Sequence, residues 1–373
     1  MRLTPFSLGL TTPLETARGS IDRREGLLVA VDPETDGESV PAPGLGEATP
    51  LPGWTESRST CEAALRGVVA SGSDSNGAAL VDDALARIDP AETPAARHGL
   101  ALALADARAR DADRSLAEQF VADANRPPPA ETVPVNATIG DGDPEATAAA
   151  AENAVGEGFD CLKVKVGARS LDVDVERLRS VRRATGDGVA LRADANGAWD
   201  RETAREAVER LAPLGLAYLE QPLPATDLDG LAALRGVGSG VAGRPGDRSP
   251  PVPIALDESV AARGLDAILD ADAADAVVLK PMALGGPDRA VTAANRAREA
   301  GVEPVVTTTI DTVVARTAAV HVAAAVPEVA PCGLATGSLL DDDLAPDPCP
   351  VSDGVVAVPA GPGLAGDAFD GVP

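Results

Sequence analysis

The second half of the chain alternates short apolar runs with amphipathic segments, and this pattern restricts the fold more than any other feature. From Val133 onward, apolar runs of β character are separated by stretches whose apolar residues recur at three- and four-residue steps. The runs are VPVNATI, CLKVKV, GVALRADAN, LAYLEQP, PIALDES, AVVLKP, EPVVTTT and CGLAT. Such alternation over about 200 residues predicts a (β/α)₈-type barrel. A doubly wound sheet would also alternate, but no glycine-rich phosphate turn follows the first strand.

The N-terminal part of the chain has a different pattern. Residues 1–55 are predicted to be β-structure, with strands at LTPFSLGL and GLLVAVD. Between them, TTPLETARGSIDRRE is polar and is predicted to be a mobile connection, and GLGEATPLPGW is predicted to form turns and a loop. Helical spacing follows over residues 60–125.

These patterns predict a domain organisation. The triple proline at 127–129 indicates a boundary. We expect an α+β capping domain over residues 1–126, a modified TIM barrel over residues 127–336, and a C-terminal segment, 337–373, that returns to the capping domain. The Gly/Pro-rich insert at 238–251 is predicted to be a loop before the fifth barrel strand.

Composition excludes several classes of function. The formal net charge is −26, which disfavours binding to nucleic acid and to anionic membranes. Hydrophobic residues make up 45% of the chain, enough for a folded core, but aromatic residues only 2%. With the scarcity of lysine, the acidity indicates adaptation to high salt. No signal peptide or membrane-spanning run is evident, so we expect a soluble cytoplasmic protein, compatible with a homo-oligomer.

Lysine is nearly absent from the chain. Of 32 basic residues only Lys163, Lys165 and Lys280 are lysines, and all three lie on predicted strands. Arginine can supply positive charge at a surface, but only lysine can become a neutral amine near neutral pH. The alternative, residual surface lysines, does not explain why the three cluster on strands. Because side chains alternate along a strand, Lys163 and Lys165 point to the same face.

Charged residues end five successive predicted strands. They are Lys163 and Lys165 in KVK, Asp194 in RADAN, Glu220 in LEQP, Asp257 in LDES and Lys280 in LKP. One βα unit of a barrel is about 30 residues long, and the spacing of these groups is close to that value. Since barrel active sites lie at the C-terminal ends of the strands, we expect the six groups at one rim.

Three carboxylates between lysines have a chemical logic. Asp194, Glu220 and Asp257 offer the hard oxygen ligands that suit Mg²⁺, with Mn²⁺ as an alternative. A divalent cation would relieve their mutual repulsion and stabilise an enolate oxyanion. Lys163 and the cation would favour the neutral form of Lys165 and so prepare a general base. The alternative interpretation is a set of salt bridges inside a barrel.

In this order, KxK, DAN, ExP, DES and LKP resemble the enolase superfamily, in its muconate-lactonizing-enzyme branch. The resemblance covers nearly the whole chain and implies a (β/α)₇β TIM-like barrel with an N-terminal α+β capping domain. It implies Asp194, Glu220 and Asp257 as metal ligands, Lys165 as the base that removes a proton α to a carboxylate, and Lys280 as the opposite lysine. Lys163 would tune Lys165. Arg192 and Asn196 belong to the same strand-end motif and would support the site.

Two segments resemble a particular group within this branch. The capping segment REGLLVAV…GLGEATPLPGW is similar to that of the o-succinylbenzoate synthases, menaquinone-pathway dehydratases. VVTTTIDT resembles their usually serine-rich substrate-carboxylate segment and implies Thr307, Thr308 and Thr309 as substrate contacts. Dipeptide epimerases of the branch typically carry Asp-x-Asp on the eighth strand, whereas this chain has Gly333-Leu334-Ala335. The resemblance therefore implies a small-molecule carboxylate substrate without an ammonium group.

Other functions stay open at this point. An N-acylamino acid racemase, in which both lysines act as acid and base, is the nearest alternative, beside other cycloisomerase-like members. A Schiff-base aldolase would use one lysine as nucleophile, and the three strand-end carboxylates argue against it. A non-catalytic binding protein would not need the full set of charged groups. Residues 11–20 and 50–54 are the expected cap segments that close over the barrel mouth.

Overall fold

The computed structural model describes most of the chain. Its described residues are 1–16, 19–32, 42–72, 84–122, 126–235 and 252–372. The predicted Gly/Pro-rich loop at 238–251 lies entirely outside these ranges.

The N-terminal sheet is antiparallel and has three strands in the order β1-β2-β3. They are β1 (Arg2–Thr16), β2 (Gly19–Val31) and β3 (Gly44–Ala48). The segment 11–25, predicted as a connection between two strands, is strand in its described part: β1 reaches Thr16, β2 begins at Gly19, and Leu14 pairs with Ile21. Cross-strand backbone hydrogen bonds do not depend on side-chain polarity, so a polar sequence can form paired strands. The predicted mobility of this segment stays a prediction.

Strand β3 was predicted as loop because its glycines resemble turn signals. Both glycines are instead required by close packing on the helix behind the sheet. A Cβ on Gly44 would lie 2.0 Å from the Ala103 carbonyl oxygen, and one on Gly46 would lie 2.0 Å from that of Gly99. The glycines therefore mark a close strand–helix approach.

Among the described residues of this region, three helices accompany the sheet; the first two contact it, and the third packs on the second. They are α1 (Arg58–Gly72), α2 (Pro94–Asp111) and α3 (Leu116–Val121). Helix α2 buries alanines and leucines such as Ala96, Leu100 and Ala103 against Leu27 and Val29 of β2. Since α2 presents mainly small side chains, it can lie directly on the sheet without aromatic residues.

The second region is a parallel sheet of seven strands in sequential order, surrounded by helices. Its strands are β5 (Ala137–Ile139), β6 (Cys161–Lys165), β7 (Ala190–Asp194), β8 (Tyr218–Glu220), β9 (Ile254–Leu256), β10 (Ala276–Leu279) and β11 (Glu303–Val306). Its helices are α4 (Pro144–Gly156), α5 (Leu171–Thr185), α6 (Arg201–Leu211), α7 (Leu228–Arg235), α8 (Glu258–Asp270), α9 (Pro281–Leu284), α10 (Pro287–Glu299) and α11 (Val313–Ala324). This mixed α/β arrangement fits a TIM-like barrel.

The predicted eighth strand, CGLAT, is not a strand. Cys332 forms one isolated parallel bridge with Val135, beside β5, and Gly333 forms one with Thr307, beside β11. These two residues thus contact both edges of the sheet without closing it by a continuous ladder. Pro331 lacks a backbone N–H. Cys332 N donates to Pro134 O (2.8 Å) and Cys332 O accepts from Asn136 N (2.9 Å), whereas Gly333 N donates to Val306 O (2.9 Å) on the opposite edge.

The C-terminal segment contacts both regions. Strands β12 (Val351–Ser352) and β13 (Val355–Ala357) form a small antiparallel sheet with β4 (Thr132–Pro134). Asp341 N donates to Gly9 O at 3.0 Å, on the first β-hairpin. These contacts are of the kind expected if residues 337–373 return to the capping domain. The boundaries of the three predicted domains stay predictions. In the part of the chain that is described, no helix has the length and apolar character needed to span a bilayer.

Candidate active site

The strand register brings the predicted charged groups to one end of the parallel sheet. Lys165 of β6 is aligned with Asp194 of β7, which is aligned with Glu220 of β8. Asp257 and Lys280 directly follow the last residues of β9 and β10. All five therefore lie at the C-terminal ends of neighbouring parallel strands.

Strand β6 shows how the local sequence orients these side chains. Leu162 and Val164 are fully buried in the core shared with the surrounding helices. Lys163 and Lys165 alternate with them and therefore point into the sheet's concave side. The strand therefore presents two ammonium groups on one face, because Leu162 and Val164 on its other face are packed against the helices.

The lysines and carboxylates form a connected set of ion pairs. Lys163 Nζ lies 3.1 Å from Glu220 Oε1 and 3.3 Å from Asp194 Oδ2. Lys165 Nζ lies 2.6 Å from the same Asp194 oxygen, and Lys280 Nζ lies 2.6 Å from Asp257 Oδ2. Each predicted ligand carboxylate thus contacts a lysine, and the structure places all six predicted residues together.

Burial makes the charges of this cluster interdependent. Burial raises the pKa of Glu220 to about 8, and repulsion by Asp194 adds to the effect. Burial also works against ionised Asp194, but Lys163 and Lys165 more than offset it and hold the pKa of Asp194 below its usual range. For Lys163, burial opposes the charged form, and Glu220 and Asp194 nevertheless raise its pKa well above the ordinary value. Because burial and a neighbouring carboxylate both disfavour ionised Glu220, additional positive charge nearby would stabilise its charged form.

The cluster borders a cavity of about 730 Å³. The barrel contributes Lys163, Lys165, Asp194, Asp257 and Lys280 to its wall, and residues 51–54 of the N-terminal region contribute the other side. The predicted cap segment 50–54 thus reaches the cavity. In the predicted cap segment 11–20, none of the described residues lines it.

The residues at this cavity fit a hard divalent cation. Three carboxylates lie on consecutive strands, and Asp257 Oδ1 is buried without a hydrogen-bond partner among the described residues. Such an orphaned oxygen is suited to a metal ion. Within those same residues, no three His, Cys, Asp or Glu side chains already form a ready-made metal cluster. The carboxylates turn toward ammonium groups, so binding a cation would require them to rotate toward a common point.

Asn196 and Arg192, the two predicted supporting residues, lie in different places. Asn196 has a positive φ of 45° and accepts a hydrogen bond from Lys165 Nζ at 2.9 Å. Arg192 is absent from the cavity lining. Its guanidinium donates to Pro331 O at 2.7 Å and lies over the Tyr218 ring at 4.5 Å. Being two residues before Asp194 on the same strand, Arg192 occupies a deeper layer and supports the sheet rather than touching the cavity.

The predicted threonines all line the cavity, but their hydroxyls already have partners. Thr307 Oγ1 donates to Gly333 O at 2.7 Å, and Thr309 Oγ1 donates to Asp311 Oδ1 at 2.5 Å. Thr308 Oγ1 lies 3.0 Å from Thr336 Oγ1, with the direction of that bond open. Thr308 is therefore the one of the three whose hydroxyl could turn to a ligand without losing a defined acceptor.

Glu258 and Trp54 also line the cavity, and the sequence did not predict either as an individual site residue. Glu258 Oε1 accepts from Asn196 Nδ2 at 2.9 Å, and its other oxygen is buried without a partner among the described residues. The Trp54 ring lies over Lys280, with Nζ 3.2 Å from the ring centroid. Glu258 follows Asp257 directly in DES, a signal that could have been used. The Trp54 contact joins distant parts of the chain and has no local signal.

This barrel-like sheet with lysines and carboxylates at its C-terminal rim defines an α/β protein with an enzyme-type site. A family model described as enolase C-terminal domain-like matches residues 146–367. The chain therefore belongs to the enolase superfamily.

Several curated enzymes are similar in sequence. The o-succinylbenzoate synthase of Thermobifida fusca is 41% identical over 237 residues, which cover 62% of this chain and 68% of that enzyme. The L-Ala-D/L-Glu epimerase of Bacillus subtilis is 31% identical, over 63% of this chain and 62% of that enzyme. The N-succinyl-L-Arg/Lys racemase of Bacillus cereus is 32% identical, over 52% and 49%. The matches span about half to two-thirds of these relatives.

Solved structures match over nearly the full length. A substrate-liganded complex of the Bacillus subtilis L-Ala-D/L-Glu epimerase has a TM-score of 0.81 at 27% identity, covering 98% of this chain and 97% of that one. The dipeptide epimerase from Methylococcus capsulatus, complexed with Mg and the dipeptide L-Arg-D-Lys, has a TM-score of 0.77 at 27% identity, covering 98% of both chains. The N-terminal region therefore has counterparts in these structures as well.

Proposed function

We propose that this protein is an o-succinylbenzoate synthase. It would dehydrate 2-succinyl-6-hydroxy-2,4-cyclohexadiene-1-carboxylate to the aromatic product in menaquinone biosynthesis. The observation that carries the proposal is the pair of lysines, Lys165 and Lys280, on either side of three strand-end carboxylates. The 41% identity to the Thermobifida fusca enzyme supports this choice of substrate.

The absence of a carboxylate from one segment of the site supports the same substrate class. The segment CGLAT, which occupies the position of the eighth strand, contains no carboxylate. A substrate ammonium would therefore have no anionic partner there, whereas a carboxylate substrate needs none. We take this as support for a small-molecule carboxylate rather than a dipeptide.

Asp194, Glu220 and Asp257 would hold Mg²⁺, or Mn²⁺ as the alternative. When bound, the ion supplies positive charge that stabilises an enediolate. The family relation and the magnesium-bound Methylococcus capsulatus relative support this choice of ligands and ion. Its arrival would also release the lysines from the carboxylates that they now contact.

Lys165 performs the proton transfer in this proposal. Its amine accepts the α-proton, and the electrons of that C–H bond move toward the substrate carboxylate. The bond from the ring to the 6-hydroxyl oxygen then breaks on the same face, and the leaving hydroxide takes the proton from Lys165. The products are an aromatic ring and water, and the lysine returns to its starting form. Lys280 stays against the opposite face as a cation, and Lys163 tunes Lys165.

Aromatisation of the cyclohexadiene carboxylate tests the proposal. The assay uses purified protein in high-KCl buffer, first with Mg²⁺ and then with EDTA. We expect rapid aromatisation with the metal, none with EDTA, and none from Lys165→Ala. Absence of turnover by folded, metal-loaded protein would refute this substrate assignment.

An N-acylamino acid racemase is the second candidate, since a lysine lies on each side of the site and racemases occur among the relatives. Racemisation requires both lysines to exchange protons, whereas dehydration requires only one. Lys280→Arg should therefore retain some dehydration and abolish racemisation. Exchange of the α-proton of N-succinyl amino acids in D₂O, measured from both enantiomers, decides between the two. Equal loss of both activities would remove the distinction.

A further inference from the structure

Lys280 is held differently from Lys165. Its side chain is only 10% exposed, with Asp257 Oδ2 at 2.6 Å from Nζ and the Trp54 ring centroid at 3.2 Å. An ammonium over the face of an indole is attracted by the ring quadrupole, and burial strengthens this attraction because water does not compete. Two neighbours of different kinds thus fix the position of this ammonium.

The loop that carries Trp54 is held in shape by its own hydrogen bonds. Trp54 N and Thr55 N both donate to Leu51 O at 3.0 Å, and Leu51 N donates to Thr55 Oγ1 at 2.8 Å. Gly53 provides the positive φ of 100° that this turn needs. A buried arginine, Arg24, donates to Pro50 O at 3.1 Å and so ties the loop to β2. The indole is therefore placed by the N-terminal region and not by Lys280.

Trp54 also separates two cavities. A second cavity of about 700 Å³ lies beside the active-site cavity, and Trp54, Asp257 and Lys280 line both. The indole and the lysine are thus part of the wall between them, together with Asp257 and Ala261. Without the indole, the flexible side chain of Lys280, which already borders the second cavity, would have room to turn further into it.

We propose that Trp54 is a positioning residue that holds the Lys280 ammonium at the wall of the active site. The contact keeps this cation directed at one face of the bound substrate and limits its movement into the neighbouring cavity. This role rests on the proposed function, in which Lys280 acts as a fixed cation. Through it, the N-terminal region controls a group of the barrel site that the strand register alone does not fix.

A spectroscopic experiment tests the contact without any substrate. The chain has two tryptophans, so Trp199→Phe leaves Trp54 as the sole indole fluorophore. In that background, Lys280→Met should change the intensity and wavelength of Trp54 emission, because the adjacent charge is gone. Lys165→Met is the matched control and should leave both nearly unchanged. An equal response to the two substitutions, or no response to Lys280→Met, would overturn the contact.

Kinetics test its consequence. Trp54→Leu should lower kcat for aromatisation by about 30-fold, the equivalent of a desolvated cation–π contact, with KM changed less. Trp54→Phe keeps an aromatic face and should recover most of the rate. The double variant Trp54→Leu/Lys280→Met should be no slower than Lys280→Met alone. Trp54→Phe as slow as Trp54→Leu, or fully additive losses, would overturn the positioning role.

The two experiments separate the failures of the two proposals. A fluorescence response to Lys280→Met without any aromatisation by the parent protein would retain the contact and refute the substrate. Aromatisation with no fluorescence response would retain the proposed function and refute the role of Trp54. Thermal unfolding of each variant identifies any loss that comes from misfolding.

Discussion

The two walls of the candidate site present the same functional group in unlike surroundings. On one wall, the Lys165 side chain is 37% exposed and contacts Asp194 and the amide oxygen of Asn196. On the other, the Lys280 side chain is 10% exposed between Asp257 and Trp54. Within the described ranges, the first wall consists of residues of the parallel sheet and its loops, whereas the second includes Trp54 of the N-terminal region.

This difference in exposure and contacts indicates that the two lysines have different roles. An exposed amine with short polar contacts can approach a substrate carbon and exchange protons with it. An ammonium enclosed by a carboxylate and an indole is suited to act as a fixed charge. A sheet of similar strand ends thus presents two different lysines, because among the described residues Lys280, and not Lys165, is covered by Trp54 of the N-terminal region.

Matched methionine substitutions should give the largest effect and the clearest asymmetry. Lys165→Met removes the base and should lower kcat for aromatisation by about 10⁴-fold. Lys280→Met removes only a stabilising charge and should lower kcat by about 10²-fold. Steady-state kinetics with the cyclohexadiene carboxylate measure both. Equal losses in the two variants would abolish the functional distinction between the walls.

Acid should destabilise the protein by protonating His321, which does not line the active-site cavity. The pH at which this happens limits the range in which the two lysines can be compared. Burial lowers the pKa of His321 to about 4. Its Nδ1 accepts from Ala117 N at 3.2 Å, so a proton there would oppose an N–H donor. The unfolded state takes up the proton first, so the contribution of His321 to stability is complete above about pH 6.5 and falls by about 3 kcal/mol as the pH drops to 4.

Urea unfolding at a series of pH values measures this dependence. His321→Gln should be less stable at neutral pH but should lose less stability on acidification than the parent protein. An identical pH dependence in the two proteins would show that His321 is not responsible. Kinetic comparisons of the lysines then belong above the range in which the fold weakens.

The Lys165 wall can be perturbed selectively through Asn196. Asn196→Gly tolerates the positive φ but removes the acceptor of the Lys165 ammonium, so kcat should fall by about tenfold. The fluorescence of Trp54, which reports on the other wall, should not change. Glu258→Gln is the milder companion variant, since it keeps an oxygen that can accept from the Asn196 amide and removes only the charge of Glu258 at the cavity. A changed Trp54 signal in Asn196→Gly would mean that the walls are not independent.

Salt should hardly change the difference between the two lysines, but it should raise the stability of the whole fold. With a net charge of −26, the acidic side chains repel one another. Salt screens this repulsion, because the Debye length falls from about 10 Å at 0.1 M salt to about 3 Å at 1 M. The melting temperature should therefore rise with KCl, while the ratio of the Lys165→Met and Lys280→Met rates stays constant. A melting temperature that falls with KCl would contradict the predicted adaptation to high salt.

The sequence predicted the rim of charges because strand ends and βα spacing are local properties. Lys165, Asp194 and Glu220 lie in register for that reason. Three features were beyond local reasoning. The glycines of β3 are required by its close contact with α2. Cys332 and Gly333 form isolated bridges to two different neighbours in place of a strand. Trp54 contacts Lys280, which is distant from it in the sequence. Each depends on tertiary packing that no window of sequence contains.

The most direct test of unequal lysines is the primary isotope effect with substrate deuterated at the α-carbon. The account predicts that Lys280→Met still aromatises this substrate and keeps a primary isotope effect, because Lys165 continues to remove the α-deuteron. Lys165→Met should show no turnover in the same assay. Turnover with an isotope effect in Lys165→Met, together with an inactive Lys280→Met, would assign the base to the opposite wall and contradict the account.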